Sequence, residues 1–412
     1  MRHIASCLLI LSASWAGALF AAPAPTPPAH KLLVLSVDGL DWRYLRDRDA
    51  FGLRIPNVRR LLKEGRYANG VIGVWPSITW PSHTTLITGV RPDQHGILGN
   101  RRPQAEGGDY YWTADLLKAP TLWQAAHARG WTVASVTWPV TAGASIDFNL
   151  PEFFLRRQGG SMDLEGVGSK ASPNLVDEIS SAYPSFPQQW VDDRTRTLAV
   201  LYLLRARHPD LLLVHLVDLD SEEHDRGPFG SEANAILERT DELIGQIVNA
   251  LPKEYDLALV SDHGFERIDK TANPRVLLAR NGMTGEVQPM GGILTTTDAS
   301  VATFLRRAAA DPANGIGREI PRDEILRYAP NLSSVAAAFE PAEHVMFGQA
   351  ERGEYFTPPF ERGNHGFWPT RQNYRSVFLI SGPDIPGGEE PEMEVVDIAS
   401  RLARLLGLQF PE

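Results

Sequence analysis

Apolar residues in this chain fall into two kinds of run. Lys31–Val37 (KLLVLSV), Asp210–Val217 (DLLLVHLV) and Asp256–Val260 (DLALV) are short, nearly continuous and rich in branched side chains. They lack the alternation of a half-solvated strand, so they read as strands of a parallel sheet buried on both faces. Thr132–Val140 and Ser376–Ile380 read as two more strands. Between them lie helical patterns: Ile55–Gly65 with Pro56 at its start, Thr121–Arg129 stopped by Gly130, Asp192–Arg207, and a closing helix at Val395–Leu406. A further helix, capped by Ser231, carries the stripe Ile236, Leu243, Ile247 and Leu251. Strand-then-helix alternation predicts an α/β fold, a mostly parallel central sheet with helices on both faces. Residues 141–190 read as loop-rich, covering one end of the sheet, with Phe148, Phe153, Phe154, Tyr183 and Trp190 packed beneath the loop or, alternatively, lining a pocket there. Residues from about 270 to 360 break the alternation and read as an inserted, cap-like excursion in which Asp323–Arg327 looks helical.

The polar residues that end the buried strands change the picture. The first strand runs into Asp38-Gly39, the second into LVDLDSEEHDRGP with Asp220 and His224, and the third into Ser261-Asp262-His263-Gly264. One such carboxylate is an ordinary turn residue. Three at the carboxyl ends of parallel strands mark where open α/β sheets place their ligands. The excursion then returns a histidine in Arg362-Gly363-Asn364-His365-Gly366.

Trp75–Asn100 (WPSITWPSHTTLITGVRPDQHGILGN) is the stretch these clusters serve. Pro81 suits a first helical turn, His83–Ile87 reads as helix, and Gly89 sits in the C-terminal cap position. Thr79 therefore stands just ahead of a helix N-terminus, where free N–H groups and the helix dipole favour a phosphate-like anion. Its hydroxyl is a poor nucleophile until a base or metal activates it. Carboxylate and imidazole together suit zinc or another borderline divalent metal better than calcium or magnesium. Six such ligands are what two ions need if each takes three and keeps open positions for catalysis.

Composition narrows the class. A 412-residue chain with 43% hydrophobic and 22% charged residues is ordinary globular material, and its formal charge of −10 argues against nucleic acid as a stable partner. Residues 1–24 read as a secretory signal peptide and 25–30 as a Pro-rich linker, which leaves residues 31–412 as a single catalytic domain with no membrane span after signal removal. Cys7, inside the signal, is the only cysteine. An exported protein without disulfides points to a bacterial periplasm.

In motif order the chain resembles the alkaline phosphatase superfamily, and within it the nucleotide pyrophosphatase/phosphodiesterase branch. The resemblance rests on Asp38, the frame Thr79-Trp80-Pro81-Ser82-His83, Thr88-Gly89, His95-Gly96-Ile97 and Asn100. It continues through Asp220, His224, Gly227-Pro228, Ser261–Gly264 and His365-Gly366. It implies a metal-dependent phosphoric diester hydrolase acting on a small phosphodiester or nucleotide. It also implies two zinc ions, with manganese as the alternative: Asp220, His224 and His365 on one, and Asp38, Asp262 and His263 on the other, which also binds Thr79. Thr79 is then the nucleophile, while Asn100 and the Trp80 N–H hold a phosphoryl oxygen. Trp80 replaces the family's phenylalanine and keeps a stacking surface. His215 stands where nucleotide-cleaving members place a tyrosine, either a substrate contact or a satisfied core histidine. His83 and His95 read as structural, and His127, His208 and His344 as surface residues. The Thr79 frame lacks the Cys/Ser-x-Pro-x-Arg of a sulfatase. A phosphomonoesterase of the same superfamily is the alternative, with Arg156, Arg157 or Lys170 as its added cation.

Overall fold

The computed structural model describes residues 30–155, 163–186, 189 and 191–410. The expected signal peptide and nearly all of the linker lie outside the described residues, as do Arg156, Arg157 and Trp190. The core is an eight-stranded sheet made of β1 (Lys31–Val37), β2 (Arg66–Ala68), β3 (Val133–Val136), β4 (Phe148–Leu150), β5 (Leu211–Leu216), β6 (Tyr255–Val260), β7 (Phe378–Ser381) and β8 (Gly388–Glu390). Their order across the sheet is β8-β2-β7-β6-β1-β5-β3-β4. Only β7 runs antiparallel to its neighbours β6 and β2. The fold is therefore α/β with a mostly parallel sheet, as the buried runs predict.

Burial on both faces explains those runs. Leu33, Leu35 and Val37 of β1 join one core with Val58 and Leu61 of α1 (Pro56–Glu64). Leu32 and Val34 join the opposite core with Leu86 and Ile87 of α2 (Thr79–Thr88) and Trp123 of α3 (Leu122–Ala128). On the first face also pack α6 (Asp193–Ala206) and α8 (Ser231–Ala250), and on the second α9 (Val396–Leu405).

Two segments differ from their sequence reading. β3 stops at Val136 rather than Val140, because Thr137 takes a positive φ of 50° and the chain turns ahead of Pro139. Within 141–190 the chain adds the edge strand β4 and the helices α4 (Leu164–Lys170) and α5 (Leu175–Ala182). The segment after β5, which the sequence leaves unassigned, is α7 (Asp218–Arg226). Residues between β6 and β7 leave the main sheet and build small sheets of their own, one four-stranded around Ala337–Pro341 and one three-stranded around Lys270–Ala272. No helix among the described residues is long and apolar enough to cross a membrane.

Candidate active site

Strands β6, β1 and β5 are neighbours in the middle of the sheet, and all three run the same way. Their carboxyl ends bring Asp262 and His263, Asp38, and the start of α7 to one place. Gly39 makes the turn after Asp38 at a φ of +72°, and a Cβ there would come within 2.8 Å of Glu223 Oε2. Its N–H donates to Asp262 Oδ1 at 3.2 Å, tying two of the three strand ends together. On α7, Asp220 and His224 are four residues apart and so share one helical face, with Nε2 of His224 3.6 Å from Asp220 Oδ1. His365 arrives from the segment before β7, its Nε2 also 3.6 Å from Asp220 Oδ1.

Two trios of ligand atoms result, each within 4.8 Å of one another: Asp38, Asp262 and His263, and Asp220, His263 and His365. His263 is common to both, and His224 sits slightly outside the second. The reason lies behind His224, where Nδ1 is 3.1 Å from Glu361 Oε2 and 3.3 Å from the Gly363 carbonyl. That pair fixes the ring with Nε2 aimed at Asp220. Asp38 Oδ1, Asp220 Oδ1, Asp262 Oδ2 and His263 Nε2 are buried, and none has a hydrogen-bond partner. Orphaned polar atoms in a protein interior call for a missing partner, and these are all metal-binding atoms. The chain therefore carries a fitting set of metal ligands.

Electrostatics agree. Burial, with Asp220 nearby, pushes the Asp38 carboxyl well above its ordinary range, and burial with Asp38 does the same to Asp262. Burial drives His263 and His365 far below the usual imidazole value, into the neutral form a metal needs. His224 goes the other way: burial opposes its charge, but Asp220 and Glu361 carry it up to about 9. Cation binding there releases a proton.

Thr79 opens α2, four residues earlier than the sequence suggests, with Ile78 as N-cap and Gly89 closing the helix at a φ of 72°. Pro81 is tolerated because it falls in the first turn, where no intrahelical N–H is required. The first i to i−4 bond runs from Ser82 N–H to the Ile78 carbonyl at 3.1 Å. Trp80 N–H already donates to Asn100 Oδ1 at 3.0 Å, which leaves the Asn100 NH₂ for another partner. His83 is held between the Thr79 carbonyl and Ser36 Oγ, each at 2.9 Å. His95 reaches Thr85 Oγ1 and accepts from Ile97 N–H, each at 3.1 Å. Both act as struts of the Thr79 segment.

A cavity of about 490 Å³ opens onto this cluster. Asp38, Thr79, Trp80, Asn100, Asp220, His224 and His365 line it, while Asp262 and His263 lie buried beneath. His215 does not line it. The ring is fully buried, with Nε2 3.0 Å from Asp38 Oδ2 and Nδ1 2.9 Å from Glu152 Oε2. Its place is behind Asp38, not against substrate. Sequence reasoning missed Glu152, Tyr110, Arg196 and Asp218, which also line the cavity, and Glu361 behind His224. Glu152 follows β4, so it carries the same strand-end signal as Asp38, hidden because a three-residue edge strand leaves no pattern in the sequence.

Residues 32–338 match the family model described as type I phosphodiesterase / nucleotide pyrophosphatase. The chain belongs to this family. That family is a branch of the alkaline phosphatase superfamily, and the sheet and its strand-end cluster accord with it. The chain is 24% identical over 395 residues to human ectonucleotide pyrophosphatase/phosphodiesterase family member 7, covering 92% of this chain and 80% of that one. Human member 1 is 26% identical over 423 residues, covering 93% of this chain and 40% of that longer protein. Among solved structures, murine ectonucleotide pyrophosphatase/phosphodiesterase 5 has a TM-score of 0.65 at 19% identity, covering 93% of this chain and 96% of that one. The same murine protein has been solved in an inactive form in complex with AMP.

Proposed function

We propose that this chain hydrolyses phosphodiester or pyrophosphate bonds through a phospho-threonine on Thr79, with two metal ions at the strand-end cluster. Membership of the phosphodiesterase family supports the reaction class. The observation that carries the proposal is a threonine hydroxyl at the first turn of a helix, lining the same cavity as Asp38, Asp220, His224 and His365. Asp220, His224 and His365 would hold one ion, and Asp38, Asp262 and His263 the other, with zinc favoured by the mixed donors and manganese as the alternative. When bound, the pair supplies Lewis-acid stabilisation of the attacking and leaving oxygens.

Thr79 Oγ attacks phosphorus, the bond to the leaving alkoxide breaks, and the proton Thr79 gives up passes through water to that leaving oxygen. Asn100, its amide turned by the Trp80 N–H, donates its NH₂ to a phosphoryl oxygen as charge redistributes. Water then attacks phosphorus, the bond to Thr79 Oγ breaks, and the hydroxyl is restored. Small phosphodiesters or nucleotides are the substrates, with Trp80, Tyr110 and Phe154 as an apolar wall. Export to a bacterial periplasm by the N-terminal signal completes the proposal.

Turnover of a nitrophenyl phosphodiester should be measured before chelation, after it, and after restoring zinc. Loss and recovery are expected, and turnover that ignores chelator would overturn the two-metal reading. Two residues give finer tests. Trp80→Ala should raise KM for a nucleotide diester by much more than for methyl nitrophenyl phosphate, since one-sided stacking is worth about 1–3 kcal/mol. Glu361→Gln should weaken metal affinity roughly 10–100-fold, because a carboxylate behind a ligating histidine orients it and raises its basicity. Competition with a chromophoric chelator measures that loss.

A further inference from the structure

We propose that Glu152 is a specificity-determining residue that disfavours dianionic phosphomonoesters at this site, an inference that rests on the phosphodiesterase reading above. Glu152 is 4% exposed, yet it lines the cavity that holds Thr79 and Asn100. Its carboxylate is anchored, since Oε2 lies 2.9 Å from His215 Nδ1. A buried, fixed carboxylate on the wall of an anion-binding cavity works against its own substrate unless the repulsion selects something.

The neighbouring charges do not cancel it. His215 is shared, with its other nitrogen 3.0 Å from Asp38 Oδ2, so one imidazole faces two carboxylates. Glu152 also adds to the charge that raises the Asp38 and Asp220 carboxyls, which places it within electrostatic reach of the reaction centre. Arg196 is a cation lining the same cavity. Its Nη1, however, is 3.1 Å from Asp193 Oδ1 and 3.8 Å from Asp218 Oδ1, so its charge is met on its own side. Lys170 extends over the Phe153 ring and is not among the lining residues. Among the described residues, then, the wall beyond the metal-ligand cluster is net negative.

Such a wall discriminates by charge. A diester presents one negative charge and a monoester dianion two, and the second feels Glu152 in a partly desolvated cavity where Coulomb terms are large. Specificity here comes from a repulsive element built against the wrong substrate.

The test compares methyl 4-nitrophenyl phosphate with 4-nitrophenyl phosphate, which share a leaving group. In Glu152→Gln the amide oxygen still accepts from His215, so the hydrogen bond survives and only the charge goes. The monoester-to-diester ratio of kcat/KM should rise on the order of tenfold, and inorganic phosphate should inhibit more tightly by a similar factor. Glu152→Asp, which keeps the charge, should hold the ratio near that of the wild type. If Glu152→Gln does not fold, Glu152→Ala supplies the same ratio. A ratio unchanged when the charge is removed, whether both activities fall together or neither moves, overturns the proposal. If the wild type turns over no diester at all, the phosphodiesterase reading fails with it. A wild-type diesterase whose ratio ignores Glu152 sinks this inference alone.

Discussion

Thr79→Ala should abolish phosphodiester turnover, a loss of about 10³-fold or more, as removal of a covalent nucleophile does. The loss should come without unfolding. Thr79 is the first residue of α2, its N-cap is Ile78, and its side chain makes none of the capping bonds of that helix. The contacts that hold the segment belong to others: His83 to the Thr79 carbonyl, Thr84 to the Trp80 carbonyl at 2.8 Å, and Asn100 to the Trp80 N–H. All of these survive in alanine. The six candidate protein ligands are untouched as well, so metal content should stay near wild type. Thr79→Ser should keep partial activity because the hydroxyl remains. Rapid acid quench of the wild type should trap phosphate on Thr79 alone. Wild-type turnover by Thr79→Ala would remove the covalent route altogether.

The parts of this site that were legible in the sequence are those where chemistry and periodicity disagree. Asp38 stands out because six buried positions precede it on a strand that solvent never reaches. Asp262-His263 stands out for the same reason after β6. The segment after β5 hid its helix because LVDLDSEEHDR has no apolar stripe. Only Leu219 and Glu223 of α7 are buried, since much of the helix faces the site and solvent instead of a core. Its one visible sign was the spacing of Asp220 and His224, four apart, which is a helical neighbour spacing as much as a motif. Glu152 was invisible for want of a strand. β4 has three residues and sits at the sheet edge, too short for any periodicity to register. His215 stays open in the sequence between a substrate contact and a core histidine, because position five before a ligand aspartate says nothing of depth. On β5 it pairs in register with Ser36 of β1, inside the sheet, and from there it reaches Asp38 from behind.

Removing the metal should separate catalysis from folding through Asp262. This carboxylate is fully buried and 3.0 Å from His263 Nε2, and burial with Asp38 beside it pushes its proton affinity up. Without a cation, two ionised carboxylates in a desolvated pocket destabilise the native state, and with one they are ligands. Chelation should therefore lower the melting temperature on the order of 5–10 °C, as loss of a ligand present at about 1,000 times its dissociation constant would. Asp262→Asn reverses the logic. The asparagine Oδ1 can still accept from Gly39 N–H, and its NH₂ can donate toward His263 Nε2, so a charge is replaced by a hydrogen bond. In chelator, Asp262→Asn should melt above chelated wild type. In zinc it should melt below zinc-loaded wild type and lack diester turnover. Thermal melts of both proteins with and without metal give all four values. If Asp262→Asn is the less stable protein under both conditions, Asp262 serves the fold through contacts of its own, and the buried cluster was never waiting for a cation.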